Sequence, residues 1–151
     1  MSTFELMDYL RSKCDRVEAV GSRVTCDPAP MDTDEDWLVL TSPEKFKDLE
    51  LVLMIDFGME FGGSRVHAGG CLTGDPDSFQ SYTYGEINVI ATASQEFFDK
   101  FMQATTEAKR LNLLVKSDRI ALFQKILYGV EIPPAPAPFD IKKYLDGSDG
   151  V

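Results

Sequence analysis

Positively charged residues, histidine and tryptophan are all scarce in this sequence. Only 15 of its 151 residues are lysine or arginine, against 25 aspartates and glutamates, and histidine and tryptophan occur once each. The net charge of −10 argues against broad electrostatic binding to nucleic acid or anionic lipid, because such binding neutralises phosphates with cationic side chains. Any nucleotide site must therefore be built from a few local residues.

Cysteine pairs and long apolar runs are also missing. Cys14, Cys26 and Cys71 are odd in number and include no C-x-x-C spacing, and no apolar stretch near the N-terminus resembles a signal peptide. We therefore expect a cytoplasmic protein, in the host cytoplasm if its source is viral. The longest apolar runs, such as residues 51–55, are far shorter than the ~20 residues of a membrane helix, so no membrane partner is expected.

The composition is that of a single globular domain, with 44% apolar residues and ten phenylalanines. Apolar spacing predicts helices over residues 3–13 and from 43 to about 56, and two packed helices after Ser94 and Ser117. Short β-branched runs predict strands at 17–20 and 36–40, and a hairpin within 79–92. Together these elements predict an α+β (mixed α/β) fold, in which a small mixed sheet is flanked by helices and two helices close the domain.

Three segments are predicted to be irregular. Residues 23–33 contain two prolines and residues 58–74 contain six glycines, which predicts a loop and a flexible loop respectively. Four prolines within residues 131–138 predict an extended chain. We therefore predict a domain over residues 1–130 and a proline-rich C-terminal tail over residues 131–151.

A possible metal and phosphate site begins at Gly21 and Ser22. After a spacer of eleven residues the sequence reads Asp34-Glu35-Asp36, followed by an apolar run. Because residues two apart on a strand share a face, the carboxylates of Asp34 and Asp36 are predicted to project together, where a divalent cation such as Mg²⁺ or Mn²⁺ would relieve their repulsion. A Gly-Ser turn after a strand offers backbone N–H groups and a hydroxyl to phosphates.

This arrangement resembles the signature of the nucleotidyltransferase superfamily typified by DNA polymerase β. That signature is an apolar residue, Gly, then Gly or Ser, a spacer of similar length, and Asp-x-Asp within a strand; Glu35 stands where an apolar residue is usual. Residues 84–129 look like small nucleotidyltransferase-like proteins encoded by bacteriophages. The resemblance implies a nucleotidyltransferase-like core, a bound Mg²⁺ or Mn²⁺ and a nucleoside triphosphate as substrate.

The resemblance also implies individual roles for the site residues. Asp34 and Asp36 would hold the metal, and Gly21 and Ser22 would position the triphosphate. The family's third metal-binding aspartate is absent from the later strand. Glu86 would complete the metal site or accept the proton of the incoming hydroxyl, and Asn88, on the same face, would be a neutral and weaker metal ligand.

Basic residues gather in two places that suit phosphate binding. Five cations lie within seventeen residues near the C-terminal end of the predicted domain, and Lys116 and Arg119 are favoured because they lie near the turn between the two predicted helices. These side chains could hold a triphosphate or the backbone of an acceptor RNA. Arg23 follows the Gly-Ser turn directly, and its planar guanidinium suits phosphate.

Several interpretations of the acidic segment stay open. A calcium-binding loop beginning at Asp32 is disfavoured, because Trp37 and Pro43 stand where that loop needs Gly and Glu. A solvated acidic turn is the plainest alternative. The resemblance to nucleotidyltransferases implies transfer of a nucleoside monophosphate to a hydroxyl of a nucleic-acid 3′ end, a small molecule or a protein. The alternative is an inactive acidic binding protein that modulates or inhibits a host enzyme as a nucleic-acid mimic.

Overall fold

The computed structural model describes residues 3–31, 34–65 and 70–129. The predicted tail over residues 131–151 lies outside the described residues. His67, the single histidine of the sequence, also lies outside them. A π-helical turn (Val52–Asp56) and a 3₁₀ turn (Gly70–Leu72) accompany five helices and five strands in the described chain. These elements are α1 (Thr3–Lys13), β1 (Arg16–Val20), α2 (Ser22–Thr25), β2 (Glu35–Leu40), α3 (Pro43–Leu51), β3 (Glu60–Arg65), β4 (Phe79–Tyr84), β5 (Ile87–Thr92), α4 (Gln95–Leu111) and α5 (Lys116–Tyr128).

The strands form one mixed sheet in the order β1-β2-β5-β4-β3. Only β2 and β5 pair in parallel, and the three other pairings are antiparallel. The parallel pair requires a crossover connection, which α3, β3 and β4 provide. The predicted α+β fold is confirmed, because a mixed sheet is flanked by helices and two helices follow the last strand.

Alternation along the strands divides the core between the two faces of the sheet. Val39 and Val89 are fully buried in a cluster with residues of α1 and α3. Leu38 and Leu40 belong to a second cluster, with Phe97 and Phe98 of α4 and Leu127 of α5. Asp36 shares the parity of Leu38 and so lies on the face that α4 and α5 cover.

Two predicted loops contain regular structure. Residues 22–25 form the helical turn α2, in which the backbone N–H groups of Val24 and Thr25 donate to the Gly21 carbonyl. The turn can form because the two prolines of the predicted loop lie beyond it. The glycine-rich segment is partly strand β3, since β4 supplies a backbone partner over residues 60–65 and a shift of register between Phe61 and Gly63 accommodates the irregularity. The prediction of a loop was therefore wrong over residues 23–25 and over residues 60–65.

The longest helix in the described chain is α4, with 17 residues. Among the described residues, no helix combines the length and the apolar character that crossing a bilayer requires.

Candidate functional site

Gly21 lets the end of β1 approach the side chain of Asp36. Val20 is paired with Asp36 in the antiparallel register, and Gly21 follows with φ 83° and ψ −176°. That backbone conformation is available almost only to glycine. A Cβ at this position would lie 2.1 Å from Asp36 Oδ2. The Asp36 carboxylate therefore packs directly over the backbone of Gly21, where any side chain would displace it.

Asn88 contacts the other oxygen of the same carboxylate. The parallel register pairs Asp36 with Asn88, and Asn88 Nδ2 donates to Asp36 Oδ1 at 3.2 Å. Burial raises the pKa of Asp36, an effect that the Asn88 hydrogen bond and the Arg23 charge oppose and the Asp34 charge increases. Asn88 Oδ1 is itself buried and has no hydrogen-bond partner in the described part of the chain. A buried carboxylate and a buried, unsatisfied oxygen thus lie side by side.

The remaining acidic residues of the predicted site lie further out. Asp34 is exposed and precedes β2, and its charge acts on Asp36. The Glu86 side chain is 78% exposed, and its Oε1 lies 4.0 Å from Arg23 Nη2. Within residues 3–31, 34–65 and 70–129, no three acidic, histidine or cysteine side chains form a group that could hold a metal.

A cavity of about 300 Å³ opens beside Asp36, between the Gly21–Ser22 turn and α5. Its polar wall contains Ser22, Asp36, Lys116 and Arg119. Four residues singled out from three separate parts of the sequence therefore line one cavity. Its volume lies at the lower end of the range for small-molecule sites.

Arg119 also holds the turn between α4 and α5. Its Nη1 donates to the Leu113 carbonyl at 2.8 Å and contacts Cys26 Sγ at 3.2 Å. Cys26 Sγ lies 3.4 Å from the same carbonyl. The guanidinium therefore joins α5 to the chain that follows α2, and one of its nitrogens is already engaged in the folded protein.

Replacing Arg119 by methionine is expected to lower the free energy of unfolding by about 1–2 kcal/mol, because the part-buried Leu113 carbonyl loses its charged donor and retains the weaker donor Cys26 Sγ. Urea denaturation measures this loss. Arg110→Met is the matched control. Arg110 is exposed and its guanidinium pairs with Glu107 on its own helix, so no measurable change is expected. Equal midpoints for the two variants would show that Arg119 has no structural role.

Three apolar or amide residues of α5 complete the cavity, and the sequence interpretation did not include them. They are Ile120, Phe123 and Gln124. Phe123 is held by an edge-to-face contact with Phe101, with ring centroids 5.0 Å apart. Their positions four, seven and eight residues after Lys116 are the signal that could have identified them, since such spacing places them on the same helix face.

Comparison with known proteins identifies no relative. The chain matches no protein-family model, no curated protein and no solved structure. The resemblance to nucleotidyltransferases therefore rests on the residues described above.

Proposed function

We propose that the cavity binds a nucleoside triphosphate with a divalent cation and that the protein transfers the nucleoside monophosphate to a hydroxyl. In this reaction the acceptor oxygen bonds to the α-phosphorus, the bond to the bridging oxygen breaks, and pyrophosphate leaves. The acceptor classes are a nucleic-acid 3′ end, a small molecule and a protein side chain. The observation that supports this proposal most is the presence of Asp36, Ser22, Lys116 and Arg119 in one cavity.

The cationic wall suits the phosphates. Lys116 and Arg119 lie on the first turn of α5, and Ser22 adds a hydroxyl at the start of α2. Cations lining a cavity are unusual in a chain of net charge −10, so they indicate an anionic ligand. Arg23 lies close enough to Asp36 for its charge to lower the pKa of that carboxyl. It is therefore near the same cavity. We propose that Lys116 and Arg23 contact the phosphates directly, while Arg119 both contacts them and holds the turn.

The acidic wall suits a metal ion. Asp36, Asn88 and Asp34 would supply oxygen ligands, and the buried Asn88 Oδ1, which lacks a partner in the described chain, is an oxygen of the type that Mg²⁺ binds. When bound, Mg²⁺ or Mn²⁺ would offset the charge of the departing pyrophosphate. Glu86 is the proposed proton acceptor. Arg23 lies near the Glu86 carboxylate and its charge also acts on Asp36, which places Glu86 at the edge of the proposed site.

None of the three cysteines forms a disulfide bond in the structure, and two of them are buried. Unpaired thiols are typical of a reducing compartment. We therefore propose that the reaction takes place in the cytoplasm.

A labelling assay tests the proposed activity. Purified protein is incubated with Mg²⁺ or Mn²⁺, each of the four α-³²P-labelled ribonucleoside triphosphates, and RNA, small alcohols or whole-cell protein as acceptors. Label is expected in one acceptor class, with release of pyrophosphate and dependence on the metal. Labelling that persists in excess EDTA would contradict the proposed metal site.

Lys116→Met is expected to weaken triphosphate binding about tenfold, because a charge-assisted contact to phosphate contributes about 1.5 kcal/mol. Isothermal titration with a non-hydrolysable triphosphate measures the affinity. Lys109→Met removes the same charge from an exposed position on α4 and is expected to leave the affinity unchanged. An equal loss in both variants would mean that net charge, and not the cavity, controls binding.

Asn88 favours a second candidate function. It stands beside Asp36 where the family's third aspartate is absent, and the described residues contain no three-ligand acidic group. A binding protein that modulates a host enzyme is consistent with these two observations. Metal-dependent triphosphate binding without transfer to any acceptor would support this second candidate over the first.

A further inference from the structure

A second cavity, of about 380 Å³, lies at the opposite end of β2 from Asp36. It lies between the C-terminal end of α1 and the N-terminal part of α3, and its lining includes Lys13, Cys14, Thr41, Lys45 and Asp48. Thr41 follows the last residue of β2, five positions after Asp36, which corresponds to about 17 Å along a strand. The α1 and α3 helices also cover the other face of the sheet. This cavity is therefore separate from the proposed triphosphate site.

Lysines outnumber acidic residues among the residues that line this cavity. Lys13 and Lys45 line it with Asp48, and the charge of Asp15, next to Cys14, also acts on that thiol. Lys45 is close enough for its charge to act on the Cys14 thiol. Lysines beside a concave polar surface favour anions, because ammonium groups bind phosphate as point charges.

Thr41 adds a hydroxyl to the cavity. The residue is 2% exposed and lines the cavity, and within the described residues its Oγ1 has no hydrogen-bond partner. The hydroxyl oxygen itself is not among the buried side-chain atoms that lack a partner, so it is accessible from the cavity, where a ligand can donate to it or accept from it. Asp48, on the same helix as Lys45, offers an acceptor for hydroxyl groups of a ligand.

We propose that this cavity binds a small phosphate monoester, with its phosphate between Lys13 and Lys45 and its hydroxyl groups towards Thr41 and Asp48. The site is independent of the proposed nucleotidyl transfer. Its volume exceeds that of a single ion, and its one aspartate suits a ligand that carries hydroxyl groups beside its phosphate.

Cys14 provides a reporter of occupancy that triphosphate binding at the other site does not affect. It lines the cavity and is half-buried, whereas Cys26 and Cys71 are buried. Burial raises the pKa of the Cys14 thiol to about 11, so alkylation by neutral iodoacetamide is slow near neutral pH. The reaction is followed over hours at about pH 8, where lysine ammonium groups stay charged, by mass spectrometry of the Cys14 peptide. Rates are measured with glycerol phosphate, with inorganic phosphate, and with sodium chloride at equal ionic strength.

Glycerol phosphate is expected to slow alkylation about tenfold at roughly ten times its dissociation constant, because only the unoccupied molecules react. Inorganic phosphate is expected to protect at higher concentration, since it lacks the groups that face Asp48. Protection by inorganic phosphate at equal or lower concentration would overturn the monoester assignment. Equal protection by chloride would overturn the site itself.

Two variants test the residues that hold the ligand. Lys45→Met and Thr41→Val are each expected to reduce the protection at least severalfold, with rates compared with and without ligand in the same variant because Lys45 itself acts on the thiol. Lys109→Met removes an exposed lysine elsewhere and is expected to keep full protection. Undiminished protection in both Lys45→Met and Thr41→Val would overturn the assignment.

Discussion

Replacing Gly21 by alanine is expected to lower the free energy of unfolding by about 2–4 kcal/mol and to abolish labelling. The new methyl group would meet the Asp36 carboxylate at 2.1 Å, and alanine is strained at φ 83°, ψ −176°. The estimate adds the cost of the backbone strain to that of overpacking. Urea denaturation measures the first effect, and the labelling assay measures the second.

Gly129→Ala is the matched control for the cost of backbone strain. Gly129 also has a positive φ, of 69°, but none of the described residues lies within 4 Å of the position that its Cβ would occupy. Alanine is therefore expected to cost about 1 kcal/mol there and to leave labelling intact. If Gly21→Ala proved no more destabilising than Gly129→Ala, the close approach of Asp36 to the Gly21 backbone would be contradicted.

Asp36→Asn is expected to lower the rate of nucleotidyl transfer about a thousandfold, equivalent to about 4 kcal/mol in the activation barrier. The substitution preserves the shape of the side chain and removes the charge that would hold the metal. Stability is expected to rise slightly, because burial disfavours the charged form of Asp36 and raises its pKa. Activity and stability would then change in opposite directions, which separates a role in the site from a role in the fold.

Asp8→Asn serves as the charge control for this experiment. Asp8 is exposed on α1, which covers the opposite face of the sheet, so its loss changes the net charge equally without touching the cavity. Normal labelling and normal unfolding are expected. Wild-type labelling by Asp36→Asn would remove Asp36 from the proposed mechanism, whatever the behaviour of the control.

The sequence predicts the fold class because the strongest signals are local. Apolar spacing identifies α1 and α4, and β-branched runs identify β1 and β5, since each element buries one face against a neighbour. The strand β3 is missed because its glycines carry no side-chain alternation, and only pairing with β4 makes it a strand. Long-range pairing thus supplies what local propensity does not.

The sequence predicts which residues belong to the candidate site, but it does not predict that they lie together in space. Spacing alone singles out Gly21 and Asp36, and charge clustering singles out Lys116 and Arg119. That these residues line one cavity depends on how α5 packs against α4 and the sheet, which no local pattern encodes. The exposure of Glu86 likewise follows from its place in the turn between β4 and β5.

The parallel pairing of β2 with β5 has a consequence for folding kinetics. The contact between Asp36 and Asn88 joins residues 52 positions apart, and closing such a segment costs chain entropy before the pairing compensates for it. The nearer pairings of β4 with β5 and of α4 with α5 carry a smaller closure cost. A partly folded chain that contains only these local units would lack the cavity, so we expect the proposed ligand binding to require the pairing of β2 with β5.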